Sequence, residues 1–457
     1  MNNLNTIMRR LFSPGRRIGP PSPGLYRFLH TGQGETSKIH LRVDQGGSAV
    51  LLINASRILH LNPMAGFMAY LALNDIPDDL ACTSISRIYR ISNHQLHNDY
   101  AQFARQLAEL IRPDGACPIH DLGLDTIPPF SALPSAPYRM DLAITYRCNN
   151  DCLHCYNARP RSFPELSTQQ WMLILDRLWQ QGIPHVVFTG GEPTLRNDLP
   201  ELIAHAEQNG QITGINTNGR RLSDRQYLHT LIQAGLDHVQ ITLESHDQSI
   251  HNAMVKSEQA WEQTTAGIRN ALDSPLYVMT NTTMLHDNSS YLEPTLHFLA
   301  ALGVPTVGLN ALIYAGKGRQ VGAGIPEADL APLLEVARRV TTAHQQRLIW
   351  YTPTQYCNFD PVQMDLGVKG CTAALYNMCI EPNGDVIPCQ SYYQPVGNIL
   401  SQPWDEIWEH PLCLSLRNRE NLPTKCHHCV FLTECGGGCP LKNQAIALSG
   451  GSNDQRS

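Results

Sequence analysis

The 457-residue sequence predicts an α/β protein: a parallel sheet with helices outside it, preceded by a small α+β unit and followed by a cysteine-rich extension. Three observations carry this. From Met140 onward, short apolar runs alternate six times with amphipathic stretches. A hairpin pattern and two helix patterns stand by themselves between Thr36 and Pro113. Eight of the fourteen cysteines lie after residue 370.

Residues 1–35 carry the clustered basic pairs Arg9-Arg10 and Arg16-Arg17 among Pro and Gly and read as a disordered leader. In the unit 36–113, Lys38–Val43 and Ala49–Ile53 read as two strands joined by the turn signal Asp44-Gln-Gly-Gly. Asn62-Pro63 opens a helix through Leu73, with Pro63 suited to the first turn. Gln95–Ile111 is a second helix, with Leu96, Tyr100, Phe103, Leu107 and Leu110 on one face. The proline-rich stretch 114–138 reads as a linker.

Beyond it, strands are predicted at Met140–Tyr146, His185–Thr189, Ile212–Thr217, His238–Leu243, Leu276–Thr282 and Thr306–Leu312. Helices are predicted at Thr168–Gln181, Leu199–Asn209, Asp224–Gln233, Gln259–Leu272 and Tyr291–Leu302, several stopping at Gly182, Gly210, Gly235 or Gly303. The core spans 139–320, a helical connection 321–370 and the cysteine-rich part 371–457.

The chemistry lies in the cysteines. Cys148, Cys152 and Cys155 follow the first core strand as C-x3-C-x2-C. Three thiolates on a [4Fe–4S] cluster leave one iron open for another ligand, which suits chemistry better than electron carriage. The rival readings are a zinc knuckle or buried thiols, although structural zinc closes four ligands. Downstream, His185-Val-Val-Phe-Thr-Gly-Gly-Glu-Pro193 runs a strand into two glycines and an acid, where backbone can approach a ligand and accept from an ammonium.

Together these two motifs resemble those of the radical S-adenosylmethionine (SAM) enzymes. The resemblance implies an open (β/α)6 partial TIM barrel with its site at the C-terminal strand ends. It implies that SAM chelates the open iron and that one electron cleaves SAM to a 5′-deoxyadenosyl radical. His154 fills a place where the family usually has an aromatic ring. Thr189, Gly190, Gly191 and Glu192 match the Gly-Gly-Glu element that contacts the SAM amino group. Asn218, Glu244 and Ser245, at the next strand ends, are the further SAM candidates, with Asn281 and Thr283 closing strand five. Their alternative role is to cap helices and turns. An external electron donor, such as flavodoxin or ferredoxin, is implied too.

Cys426-His-His-Cys429, Cys435 and Cys439 fit C-x2-C-x5-C-x3-C, and Gly384 precedes Cys389 as G-x4-C. This resembles the SPASM extension, which holds auxiliary [4Fe–4S] clusters. The resemblance assigns Cys371, Cys389 and Cys439 to one cluster, with Cys379 as fourth ligand, and Cys426, Cys429 and Cys435 to a second. The family's final cysteine, after Cys439, is absent. Cys413, Asp454, His427, His428, substrate or water are the candidates for that place, and zinc is the rival occupant. One or two auxiliary clusters are therefore expected.

The order of elements in 36–113, with Ile-Leu-His-Leu-Asn-Pro at 58–63, resembles the PqqD-like winged-helix module that adds a leader peptide to its sheet edge. A structural cap is the alternative. The expected substrate is a ribosomally made peptide or small protein. The alternatives are a cofactor precursor such as a tetrapyrrole, or an electron-carrying scaffold without turnover.

A net charge of −6 argues against nucleic acid as the main partner. No 18-residue apolar run suggests a membrane span, and Met1–Leu11 lacks the apolar core of a secretory signal. Cysteines without such a signal point to metal in a reducing, cytoplasmic setting. Cys82, Cys117, Cys357 and Cys413 fit no motif and read as plain buried thiols.

Overall fold

The computed structural model describes residues 18–32, 35–54, 57–111, 134–159, 161–420 and 422–448. The chain divides into two compact units, Met1–Pro128 and Pro129–Ser457.

In the first unit, β1 (Gly24–Gly32), β2 (Glu35–Val43), β3 (Ala49–Ile53) and β4 (Arg57–Leu61) form an antiparallel sheet in that order. Three helices follow, Pro63–Leu73, Asp78–Tyr89 and Asn93–Ile111. The Asn62 side chain accepts the Ala65 N–H at 2.9 Å, so the first helix starts where Asn62-Pro63 predicts. Ile39, Leu41 and Val43 alternate inward from β2 and meet Phe67, Leu71, Leu96, Tyr100 and Leu107 in one core.

Two expectations are corrected here. Strand β1 lies inside the stretch read as a disordered leader; it pairs with β2 from Gly24↔Val43 to Gly32↔Glu35. Its alternation was masked by the preceding proline run, and Tyr26 stacks edge-on against Tyr70 at 5.2 Å. The helix Asp78–Tyr89 was also missed; it starts after Pro77 with Asp78 and Asp79 in its first turn. Residues 1–17, and 112–133 of the linker, lie outside the described residues.

In the second unit, β5 (Arg139–Thr145), β6 (His185–Gly190), β7 (Ile212–Thr217), β8 (His238–Thr242), β9 (Tyr277–Met284) and β10 (Thr306–Ala311) run parallel in sequence order. A seventh parallel strand, β11 (Arg347–Trp350), adds to β10. On the other side of β5 lies β12 (Asn377–Ile380), again parallel, followed by antiparallel β13 (Asp385–Ile387) and β14 (Gly397–Asn398). Strands β11 and β14 stand at the two ends of the ten-stranded order, so the sheet is open. The cysteine-rich region is thus continuous with the barrel sheet.

Alternation sorts each strand. Met140, Leu142 and Ile144 of β5, Val186 and Phe188 of β6, and Val307 and Leu309 of β10 share one core with Trp171, Ile174, Leu175, Leu202 and Ile203 of the helices. Each such burial contributes about 1.5–3 kcal/mol. The intervening residues, among them Arg139, Asp141 and Ala143 of β5, Asn216, Gln240, Asn281 and Asn310, belong to the other face, which is polar. No helix among the described residues is long and apolar enough to cross a membrane.

Candidate active site

The C-terminal strand ends meet around the loop that carries Cys148, Cys152 and Cys155. That loop is pinned from several strands. Arg220, after β7, donates to Asn149 O at 2.5 Å and to Asn150 Oδ1 at 2.8 Å. Asp151 N and Leu153 N donate to Val255 O and Met254 O, after β8. Lys317 N, after β10, donates to Cys155 O at 3.0 Å.

The two glycines after β6 are required by this loop. A Cβ on Gly190 would lie 2.0 Å from Thr145 O, and one on Gly191 2.3 Å from Arg147 O. Gly191 N and Glu192 N donate to those two carbonyls at 2.8 Å each. The close approach expected of the glycines is therefore made to the cysteine loop itself, and Asn157 Nδ2 donates to Gly190 O at 2.5 Å.

Glu192 is almost wholly buried. Its Oε1 accepts from Thr194 N, Thr194 Oγ1 and Thr217 Oγ1 at 3.1, 2.6 and 2.6 Å, and its Oε2 accepts from Asn218 N at 2.8 Å. Burial pushes its carboxyl above the usual range, opposed by these donors. The carboxylate thus clamps the ends of β6 and β7. Asn218 is tied to the cysteine loop by its Nδ2, 2.7 Å from Asn149 Oδ1.

Glu244 Oε1 lies 3.0 Å from His154 Nε2, while its Oε2 accepts from Thr283 N at 2.8 Å. Burial works against a charged His154, yet the Glu244 carboxylate lifts its pKa above the ordinary value. His154 is therefore paired with an acid from β8. Ser245 is buried, and its hydroxyl accepts from Asp247 N at 3.1 Å. Thr189 is buried near the end of β6, and the Tyr156 hydroxyl donates to Gln390 Oε1 at 2.9 Å. Asn281 Nδ2 donates to Asn310 Oδ1 at 2.8 Å across the polar face.

The three loop cysteines are free thiols. Cys148 is pushed up to about 11 by burial first, with Glu192 and Cys155 adding to the rise, and Cys152 is raised by burial and by both neighbouring thiols. Such thiols are ready for a metal, whose charge removes their protons. In the C-terminal region, burial raises Cys371, which feels Cys439 and Cys389, while Cys426 feels Cys435 and Cys429. Among the described residues no three His, Cys, Asp or Glu side chains converge as they do on a single ion. Zinc would draw its sulfurs to about 2.3 Å of one point, whereas a four-iron cluster spreads them over separate irons. The thiol groups fit clusters.

Cys379 stands apart from this pattern. Its register with Asp141 sets it on the β12 face beside Ala143 and Ile387, fully buried, with Asp141 as its strongest electrostatic neighbour and Cys389 next. Of the Cys371–Cys389–Cys439 group, Cys389 is the thiol that acts on it. Cys413 lies fully buried in the common core, with Arg417 as its charged neighbour. Asp454 lies outside the described residues.

A buried ionic group has no counterpart in the sequence reading. Glu381 Oε1 accepts from Tyr146 Oη at 2.9 Å and Arg159 at 2.7 Å, with Arg161 3.7 Å away. Arg161 lies 3.2 Å from the Tyr146 ring centroid and Arg159 4.0 Å from that of Tyr393. Two guanidiniums face one carboxylate. Arg159 also lines a cleft of about 660 Å³ with Lys317, Arg319, Tyr393, Gln394 and Gln444, and no acidic residue lines it. The pair Arg159 and Arg161, just after the third cysteine, was the available signal.

Comparison with known proteins gives the following. The radical SAM superfamily profile matches residues 142–299, and that of the SPASM iron–sulfur cluster-binding domain matches 371–430. The chain is 27% identical over 315 residues to an AdoMet-dependent heme synthase of Oleidesulfovibrio alaskensis, covering 64% of this chain and 80% of that one. It is 26% identical over 337 residues to an Fe-coproporphyrin III synthase of Methanosarcina barkeri, covering 66% and 83%. Streptococcus suis SuiB bound to its precursor peptide SuiA superposes with a TM-score of 0.67 at 16% identity, over 91% of this chain and 96% of that one.

Proposed function

Since the chain is a radical SAM enzyme with a SPASM iron–sulfur domain, we propose that it modifies a side chain of a ribosomally made peptide or small protein. The cofactors are a SAM-binding [4Fe–4S] cluster, SAM and auxiliary clusters, which when bound supply one-electron cleavage of SAM. Cys148, Cys152 and Cys155 hold the catalytic cluster in this reading. Gly190–Glu192 and Asn218 fix its loop, and His154 with Glu244 walls the side toward β8. The polar strand face, with Asn281 and Asn310, would orient the substrate.

One observation carries the peptide reading: a separate unit, 18–111, has a sheet whose β1 and β4 carry no further strand among the described residues. An extended peptide can add to such an edge. SuiB, crystallised with a precursor peptide, shares the fold over nearly the whole chain. The second reading is a tetrapyrrole, favoured by the names of the two sequence relatives. The basic cleft lined by Arg159, Lys317 and Arg319 suits carboxylates of either substrate.

The test compares the full chain with one lacking residues 1–115, anaerobically, with SAM and reductant. A peptide retained only by the full chain, and changed in mass on turnover, supports the proposal. Conversion of an iron coproporphyrin by both proteins overturns it in favour of the second reading.

A further inference from the structure

We propose that Cys357 is the fourth thiolate of the auxiliary cluster held by Cys426, Cys429 and Cys435. The segment before it is sewn onto the knot. Cys435 Sγ donates to Thr354 O at 3.4 Å, and Tyr356 N donates to Cys435 Sγ at 3.4 Å. Gln355 Nε2 reaches Gly437 O at 3.2 Å and Asn443 Oδ1 at 3.1 Å. A Cβ on Gly438 would lie 2.9 Å from Gln355 Cγ, so the segment and the glycine turn after Cys435 are in contact. The Tyr356 ring lies 6.4 Å from that of Phe431, inside the same knot.

Cys357 is the next residue. Its thiol is exposed, and it acts electrostatically on Cys426, the knot's first thiol. A buried acid fixes this placement. Glu327 accepts from Gln355 N at 3.0 Å and Asn358 Nδ2 at 2.7 Å, on either side of Cys357, and from Lys442 Nζ at 2.6 Å. Lys442 belongs to the helix Pro440–Leu448 that follows Cys439. Glu327 is therefore a positioning residue that holds the 355–358 segment against the C-terminal helix.

The other candidates fare worse. Cys413 is in the core, and Cys379 faces Asp141. As iron binds, the Cys357 thiol releases its proton to solvent and an Fe–S bond forms. Four thiolates then leave this cluster no open iron, so it carries electrons and binds neither substrate nor water. The Tyr356 N–H bond to Cys435 Sγ is the kind of contact that sets such a cluster's potential.

This inference rests on the presence of auxiliary clusters, and the experiment separates the two. Full-length protein, loaded anaerobically, is treated with iodoacetamide before and after iron removal by a chelator, and each cysteine is mapped by mass spectrometry. Cys357 is expected to be protected when loaded and alkylated after chelation. Alkylation of Cys357 in protein holding its full auxiliary iron overturns the proposal alone. Wild-type protein with iron for the catalytic cluster only overturns the underlying reading as well. In parallel, Cys357→Ala is expected to lose up to about four irons per chain or to show a three-iron EPR signal. Cys413→Ala is expected to keep full iron. A Cys357→Ala protein with wild-type iron content and Mössbauer spectrum overturns the proposal.

Discussion

Single side chains at this site do more holding than reacting. Glu192 illustrates it: its four hydrogen bonds all go to the chain itself, at the ends of β6 and β7. Three thiols would hold the cluster that supplies the electron, so replacing Cys148, Cys152 and Cys155 together by Ala should abolish 5′-deoxyadenosine release under strong reductant, read by chromatography. His251 supplies a different prediction. It is buried, its Nδ1 accepts from Glu244 N at 3.1 Å, and burial lowers its pKa from 6.5 to about 4. The folded chain therefore keeps the ring neutral where the unfolded chain protonates it. That stability is complete above pH 6.5 and is lost as pH falls toward 4, by up to roughly 3 kcal/mol. Thermal unfolding of metal-free protein should show this acid loss, and His251→Gln should flatten it.

At the level of elements, the basic cleft yields a prediction of its own. Arg319 contributes charge to it while its Nε bonds only Tyr314 O, so reversing it should leave the fold intact. Arg319→Glu is expected to raise KM for a carboxylate-bearing substrate about tenfold, near 1.4 kcal/mol, with kcat little changed; steady-state kinetics checks it. The six principal strands and five helices were legible in the sequence because each buries one face against the other layer, which imprints a period. Strand β12 was not, since Asn377–Ile380 is too short to show a period. Strand β11 and the helix Gln248–Val255 are similarly brief. At the site, cysteine spacing was legible because one loop must present three thiols. The partners of Glu192 and Cys435 were not, because topology joins them: Tyr356 and Cys435 are 79 positions apart.

For the whole molecule, the continuity of the sheet matters most. Strand β12, from the cysteine-rich region, pairs with β5, whose end leads into the loop of Cys148, Cys152 and Cys155. A chain ending at residue 370 would leave β5 as an edge and, by removing Met378 and Ile380 from the common core, uncover the residues packed against them. Such a truncation should not yield a folded catalytic unit; size-exclusion chromatography and circular dichroism should report aggregation instead of a smaller monodisperse enzyme.

That pairing also sets a timetable. Register joins Arg139 to Asn377, so β5 leaves the ribosome on the order of ten to fifty seconds before its second neighbour exists, at ordinary translation rates. Through that interval the nascent sheet has one bare flank, and three thiols at its rim meet the cell without the wall that later shelters them. Iron delivery that ran ahead of the last eighty or so residues would load a half-built site. Iron insertion is therefore expected to follow the emergence of β12 rather than that of Cys148, Cys152 and Cys155, and iron found on ribosome-bound chains stalled before residue 370 would contradict this.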